Sequence, residues 1–233
     1  MTTQGLRIGL LGGTFNPIHH CHLTIARETR ERMGLDRILF IPTGDPPHKP
    51  SDALATARHR VEMVRLAIAA EPSFSLSEIE ACHSSKSYSI ETVQTLRDEY
   101  GADTELFFIL GLDAFLELDS WKQASQLIRS IHFIVVPRPG AAFASLRTMP
   151  LLPPIDRSSL AALDAGQKDR LDLSWTPSTN LILLRLPPCD ISASVIRTRL
   201  KNRQSVSNLL PAPVESYILH HNLYTEGIDR PGI

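Results

Sequence analysis

Residues 6–23 read Leu6-Arg7-Ile8-Gly9-Leu10-Leu11-Gly12-Gly13-Thr14-Phe15-Asn16-Pro17-Ile18-His19-His20-Cys21-His22-Leu23, and this stretch decides the fold. Its opening is a short apolar run, the pattern of a buried strand, and it empties into two glycines. A helix-like stretch, His20–Met33, follows and is stopped by Gly34. Glycines let a backbone come close to a ligand, and a helix start offers amide N–H groups and the positive end of its dipole. Together they make a cradle for phosphate. The spacing is neither the Gly-Lys-Ser/Thr P-loop nor the GxGxxG dinucleotide fingerprint. His19 and His22 stand three residues apart, so at a helix start they share a face and both can reach one anion.

Outward from that stretch, strands and helices alternate. Arg37–Pro42 (RILFIP) reads as a second buried strand, followed by a polar, proline-rich loop over residues 43–52. Residues 57–70 carry Val61, Val64, Leu66 and Ile68 in a helical stretch that stops before Pro72. Residues 74–79 read as a third strand, and Ser89–Tyr100 as a third helix stopped by Gly101. Glu105–Gly111 (ELFFILG) and residues 131–137 (IHFIVVP) are two more core strands. Another strand is expected over 181–186, with helices over 193–202 and 213–221. Continuous apolar strands separated by helices of ordinary length predict an α/β fold, a doubly wound open parallel sheet covered by helices on both faces. Ligands are then expected at the carboxyl ends of the strands. We expect one domain over residues 1–233, with a C-terminal helical part at about 192–224. Residues 138–180 hold five of the seventeen prolines and only weak helical periodicity near 158–171, so an irregular excursion is expected at about 139–180, a lid or a contact surface.

The chain of 233 residues is long enough for one well-buried α/β domain, the preferred reading, or for two small ones. With 21% charged and 42% hydrophobic residues it is neither disordered nor a coiled coil. A net charge of −1 supplies no basic field for nucleic acid or an anionic membrane, and no apolar run reaches the length of a membrane span. The first residues lack a charged start followed by an apolar core, so no secretory signal is expected. Cys21, Cys82 and Cys189 are odd in number and show no CxxC spacing, which predicts reduced thiols in a cytoplasmic protein.

Gly12 to His22 resembles the (H/T)xGH signature of the nucleotidyltransferase superfamily, in the longer form GGTFxPxHxxH. That form is similar to the bacterial nicotinate-nucleotide adenylyltransferases. The resemblance extends along the chain. Pro46-Pro47-His48-Lys49 looks like the family's PPHK loop, and Ser87-Tyr88-Ser89-Ile90-Glu91-Thr92 resembles its SYTxxT stretch. Gly111-Leu112-Asp113 with Trp121 matches GxD…W, and Val136-Pro137-Arg138-Pro139-Gly140 resembles xxRPG. Ile191-Ser192-Ala193-Ser194-Val195-Ile196-Arg197 looks like the closing ISSTxIR signature, and residues 210–217 like the terminal helix. Together these cover about residues 6–224, the proline-rich excursion excepted. Three positions depart from the pattern: Cys21 stands where glycine is usual, Ser89 replaces threonine, and Ala193-Ser194 replaces Ser-Thr. None removes a charged group.

The resemblance implies a Rossmann-like nucleotidyltransferase that joins ATP and nicotinate mononucleotide into nicotinate adenine dinucleotide and pyrophosphate. His19, His22, Lys49 and Arg197 would be catalytic. Gly12, Gly13, Thr14, Phe15, Gly111, Asp113, Ile191, Ser192 and Ser194 would bind ATP beside His19, His22 and Arg197. Asn16, His48, Lys49, Ser89, Trp121 and Arg138 would bind the mononucleotide. Mg²⁺ is expected as a cofactor carried by the ATP phosphates, with no protein metal site. Another phosphorylated acceptor, such as nicotinamide mononucleotide or phosphopantetheine, or a non-catalytic nucleotide-binding module, would keep the same fold.

The residues themselves leave alternatives beside these roles. His19, His20, Cys21 and His22 have the chemistry of a zinc cluster, but adjacent residues do not converge on one tetrahedral ion. Lys49, after two prolines, is either presented to phosphate or simply solvated. Asp113 accepts ribose hydroxyls or caps a short helix. Trp121 stacks on a ligand ring or fills a core. Ser192 and Ser194 cap a helix, bind phosphate, or do both, and Arg197 on the same face can fork onto phosphate oxygens. His59, His83, His132, His220 and His221 read as surface or core histidines.

Overall fold

A computed structural model describes residues 5–44, 54–82, 86–137 and 140–225. In chain order the elements are β1 (Arg7–Gly13), α1 (His20–Met33), β2 (Arg37–Pro42), α2 (Ala57–Ile68), β3 (Phe74–Leu76) and α3 (Ser89–Tyr100). Then come β4 (Glu105–Gly111), α4 (Leu112–Leu116), α5 (Ala124–Ser130), β5 (His132–Val136), α6 (Arg157–Asp164) and β6 (Arg170–Ser174). The last elements are β7 (Asn180–Leu184), α7 (Ala193–Lys201) and α8 (Ala212–His220). Two short 3₁₀ turns, Leu118–Ser120 and Phe143–Thr148, lie between them. The described strands form one seven-stranded sheet in the order β3-β2-β1-β4-β5-β7-β6. The chain divides into two compact units: Met1–Gly12, Ile25–Leu39 and Ser87–Cys189, and Gly13–Thr24, Phe40–Lys86 and Asp190–Ile233.

In the first unit, β1 pairs in parallel with β4, β4 with β5, and β5 with β7. The parallel ladder explains the apolar runs, because a strand covered on both faces has no solvent side to make polar. Phe133 to Val136 in β5 and Leu181 to Leu184 in β7 are at most 2% exposed. Gly9, inside β1, has no room for a side chain: a Cβ there would come within 2.6 Å of the Ile38 side chain and 2.9 Å of Ile109 and Leu35. Gly34 ends α1 with φ at +59°, a conformation that favours glycine and explains the sharp stop.

The stretch expected to be an irregular excursion is largely ordered structure of this unit. It supplies α6 and β6, and β6 pairs antiparallel with β7. Its Phe143, Leu146, Leu160 and Leu163 are buried in the core. The Asp164 carboxylate accepts from the amides of Phe143 and Ala144, at 2.7 and 3.0 Å, and the Trp175 indole N–H donates to the Leu151 carbonyl at 2.8 Å. In β6 the sequence Arg-Leu-Asp-Leu-Ser alternates, the signal of a half-buried strand, while Arg170 and Asp172 pair at 2.6 Å on its exposed side. Two other expected boundaries shorten: α2 ends at Ile68 and β3 at Leu76, and neither α4 nor α5 carries enough residues for a clear helical period. No helix among the described residues is long and apolar enough to cross a membrane.

The second unit is built round α2 and α8. His59 Nδ1 and the Tyr217 hydroxyl are 2.9 Å apart, and the His221 ring lies 5.2 Å from that of His59. Burial first, then the charges of His221 and Arg58, hold the His59 imidazole below its ordinary pKa of 6.5. In the first unit burial lowers His132 as well, against the pull of Glu105 and with the help of Arg97 and Arg7. For both groups the unfolded chain takes up protons at a higher pH than the folded one. Their contribution is therefore complete above 6.5 and is lost as the pH falls through the lower folded values. The melting temperature should drop as the pH falls from about 7.5 to 5.5, and His59→Gln should flatten part of that slope. A pH-independent melting temperature over this range would show that neither histidine is linked to folding.

Candidate active site

The second unit gathers most of the residues singled out in the sequence. The chain leaves β1 at Gly13, whose carbonyl accepts from the Thr43 amide at 3.0 Å. A Cβ on Gly13 would press on the Phe15 ring at 3.2 Å, so a side chain there would have to push the ring aside by a few tenths of an ångström. Phe15 is buried with φ at +48°, its ring 5.9 Å from Phe40 and edge-on to His22 at 5.1 Å. His19 and His22 stack with centroids 3.8 Å apart, as their spacing predicts. His19 is buried, and its amide donates to His22 Nδ1 at 3.2 Å. That bond fixes the tautomer: in the neutral ring the proton of His22 sits on Nε2, which is then a donor. The His19 carbonyl accepts from His22 and Leu23 to begin α1, while the His20 amide is bonded to the Leu209 carbonyl at 3.1 Å. The helix start therefore offers fewer amides to a ligand than its sequence position implies.

The start of α7 lies in the same unit. Ser192 is its cap, the Oγ accepting from the Val195 amide at 3.3 Å and lying 3.0 Å from the exposed Ser194 Oγ. The Ile191 amide donates to Cys21 Sγ at 3.4 Å, so the residue in the usual glycine's place bonds to the α7 signature. Arg197 Nη1 donates to the Asn16 carbonyl at 2.8 Å. Asn16 is buried, and its Oδ1 accepts from the Ala55 amide at 3.1 Å and the Tyr224 hydroxyl at 2.7 Å. Thr14 is exposed beside them.

Cys21 corrects the reduced-thiol expectation. Cys21 and Cys189 are disulfide-bonded, and Cys82 is the free cysteine among the described residues. Without reductant, thiol titration of the native protein should find one reactive thiol, and after reduction and unfolding three. Three thiols before reduction would return Cys21 to the reduced state.

The first unit holds Gly12, Ser89, Gly111, Asp113 and Trp121. Gly12 is exposed at the end of β1. Ser89 is the first residue of α3, after the cap Tyr88. Gly111 ends β4 and itself occupies the cap of α4, so Asp113 is not the cap but an exposed residue of the first helical turn. Trp121 follows the first 3₁₀ turn, half-buried, its ring edge-on to Phe108 at 6.0 Å. Next to it, Lys122 Nζ lies 4.1 Å over the Tyr88 ring and 2.6 Å from Glu91 Oε1, tying the Trp121 segment to the start of α3 beside Ser89. The second tryptophan differs: Trp175 packs on Phe115 and Phe133 at 5.7 and 5.3 Å. His48, Lys49 and Arg138 lie outside the described residues. Among the described residues, no three His, Cys, Asp or Glu side chains are placed to hold a metal ion.

The second unit thus brings together a glycine turn leaving a parallel strand, a stacked histidine pair at the next helix, and a serine-capped helix with an arginine. Residues 10–199 match the cytidylyltransferase-like family. Over 221 residues the chain is 43% identical to the probable nicotinate-nucleotide adenylyltransferase of Pelobacter propionicus, covering 95% of this chain and 99% of that protein. It is 40% identical over 220 residues to the probable nicotinate-nucleotide adenylyltransferase of Geobacter metallireducens, covering 94% and 99%. The chain belongs to the nicotinate-nucleotide adenylyltransferases of the cytidylyltransferase-like family. Its fold is shared with Plasmodium falciparum nicotinic acid mononucleotide adenylyltransferase complexed with NaAD, at a TM-score of 0.69 and 19% identity over 96% of this chain and 100% of that one.

Sequence reasoning missed Arg60, Lys122 and Tyr224. Arg60 shares the buried stripe of α2 with Ala57, Val61 and Val64, and a charged residue in such a stripe is the one signal that could have marked it.

Proposed function

We infer that this enzyme transfers the adenylyl group of ATP to nicotinate mononucleotide, giving nicotinate adenine dinucleotide and pyrophosphate, a step in NAD biosynthesis. The observation that carries the reading is the stacked His19–His22 pair after the glycine turn, with His22 Nδ1 accepting from the His19 amide so that Nε2 carries the proton. The 5′-phosphate of the mononucleotide is anionic at neutral pH and needs no general base. Its oxygen attacks the α-phosphorus in line, the bond to the β-phosphate oxygen breaks, and pyrophosphate departs with the charge. The enzyme's part is alignment and neutralisation of that moving charge. His19, His22 and the amides near Gly13, Thr14 and Phe15 hold the reacting phosphate, with Gly12 giving the backbone its close approach. Ser192, Ser194 and Arg197, on the helix entered through Ile191, gather the triphosphate, and Lys49 joins them on the strength of the resemblance. Gly111 leads into Asp113, whose carboxylate accepts ribose hydroxyls. Asn16, His48, Ser89, Trp121 and Arg138 serve the mononucleotide, with Trp121 against its ring and amides at a helix start for its carboxylate.

Mg²⁺ supplies charge neutralisation when it enters on the ATP phosphates. It takes oxygen ligands, so His19 and His22 do not suit it, and phosphate and water oxygens would hold it. The reaction belongs in the cytoplasm, where ATP is abundant. Pyrophosphate release with ATP and a panel of acceptors tests the reading: nicotinate mononucleotide should be the best substrate, ahead of nicotinamide mononucleotide and phosphopantetheine. A preference for either of the others would change the acceptor, and release with none would leave a nucleotide-binding module.

A further inference from the structure

Arg60 is fully buried, yet its guanidinium makes three bonds to backbone carbonyls of the second unit. Nε donates to Ala55 at 2.9 Å, Nη1 to Thr14 at 2.9 Å, and Nη2 to Gly44 at 3.1 Å. A cation is costly to bury unless its donors are satisfied, and an apolar side chain would fill the same stripe of α2 without that cost. What the guanidinium adds is a planar fork that fixes three backbone points at once. One of them, Thr14, belongs to the phosphate turn. The turn is held from its other side through Asn16, whose Oδ1 accepts from the Ala55 amide and from the Tyr224 hydroxyl. Burial raises the Tyr224 pKa, so the phenol stays protonated and keeps donating. Between these two anchors sits Phe15 with φ at +48°, a conformation that a bulky residue keeps only where its surroundings impose it. The Asn16 carbonyl in turn accepts from Arg197.

We propose that Arg60 and Tyr224 are positioning residues for adenylyl transfer, holding the Thr14–Phe15–Asn16 backbone, and through Asn16 the Arg197 guanidinium, where the reacting phosphates are met. The inference rests on the adenylyl-transfer reading. Arg60 is sealed from solvent and acts through the carbonyls of Thr14, Gly44 and Ala55; Tyr224 acts through Asn16. Loosening the turn misaligns the reacting phosphate but leaves most of the nucleotide contacts, so kcat suffers and KM does not.

The test is steady-state kinetics of full-length Arg60→Lys and Tyr224→Phe with ATP and nicotinate mononucleotide, with melting temperatures on the same preparations. Arg60→Lys keeps the charge and loses the fork; kcat should fall about 10–100-fold with both KM values within about threefold. Tyr224→Phe removes one hydroxyl and should lower kcat about three- to tenfold with a melting temperature near the wild type. A purely structural role predicts a lower melting temperature and an unchanged kcat for the folded enzyme, and wild-type kcat in both variants overturns the proposal. If Arg60→Lys does not fold, Tyr224→Phe decides alone: a selective fall in kcat supports the proposal and a wild-type kcat overturns it. Wild-type enzyme in the same assay separates the two readings. Should it form no dinucleotide, the activity reading fails, and amide exchange decides the positioning. Faster exchange confined to Gly13–Asn16 in the variants supports it, and unchanged exchange there overturns it.

Discussion

The His22→Ala enzyme should turn over about 10²–10³-fold more slowly than the wild type while its ATP affinity changes far less, as when an oxyanion donor is removed. The expectation follows from the tautomer. The His19 amide holds His22 Nδ1, so the other ring nitrogen is the donor, and the stack on His19 at 3.8 Å fixes the plane in which it donates. A donor aimed at charge that develops in the transition state contributes little to the ground state, which is why kcat should carry the loss. His22→Asn, which keeps a donor at shorter reach, should recover part of it. Normal turnover in the alanine variant would remove His22 from the catalytic groups. A zinc site makes the opposite forecast: stoichiometric zinc in the purified protein, and inactivation by a chelator that spares Mg²⁺.

Trp121→Ala should raise KM for the mononucleotide about tenfold or more while KM for ATP stays close to the wild type. Stacking on a pyridine ring contributes about 0.5–1.5 kcal/mol beyond burial, and the lost contact area adds to it. The two tryptophans separate the ligand role from the core role. Trp121 is half-buried with an edge contact to one phenylalanine, whereas Trp175 packs on Phe115 and Phe133 and bonds to Leu151. Trp175→Ala should accordingly destabilise the protein by about 2–4 kcal/mol, less than a fully buried aromatic, and affect both substrates alike. Trp121→Phe should recover much of the mononucleotide affinity. If Trp121→Ala instead lost stability and weakened both substrates in parallel, Trp121 would be a core residue too.

The sheet was legible where burial on both faces leaves an unbroken apolar run. Residues 105–111 and 131–137 read as strands from that alone, the second observed over His132–Val136, and Gly34 and Gly101 marked helix ends through the backbone they permit. β6 was not legible: its two leucines alternate over only five residues among prolines, and its place follows from pairing with β7, a contact that local pattern does not encode. In the candidate site, the glycines and the histidine spacing announced the phosphate turn, and Ser192 capped its helix as expected. Arg60 and Tyr224 were hidden for a different reason. An arginine in a helix and a tyrosine near a chain end read as surface residues, and their roles come from backbone carbonyls and an asparagine far away in sequence. The disulfide state of Cys21 and Cys189 likewise leaves no local mark.

The most direct test of the account is exchange of radiolabelled pyrophosphate into ATP, with and without nicotinate mononucleotide. Direct in-line transfer predicts no exchange with ATP alone, and exchange that begins when the mononucleotide is added and the reaction can run in both directions. Exchange with ATP alone would mean an adenylyl-enzyme formed on a side chain, and would contradict the direct attack that the paired histidines and the phosphate turn are read to serve.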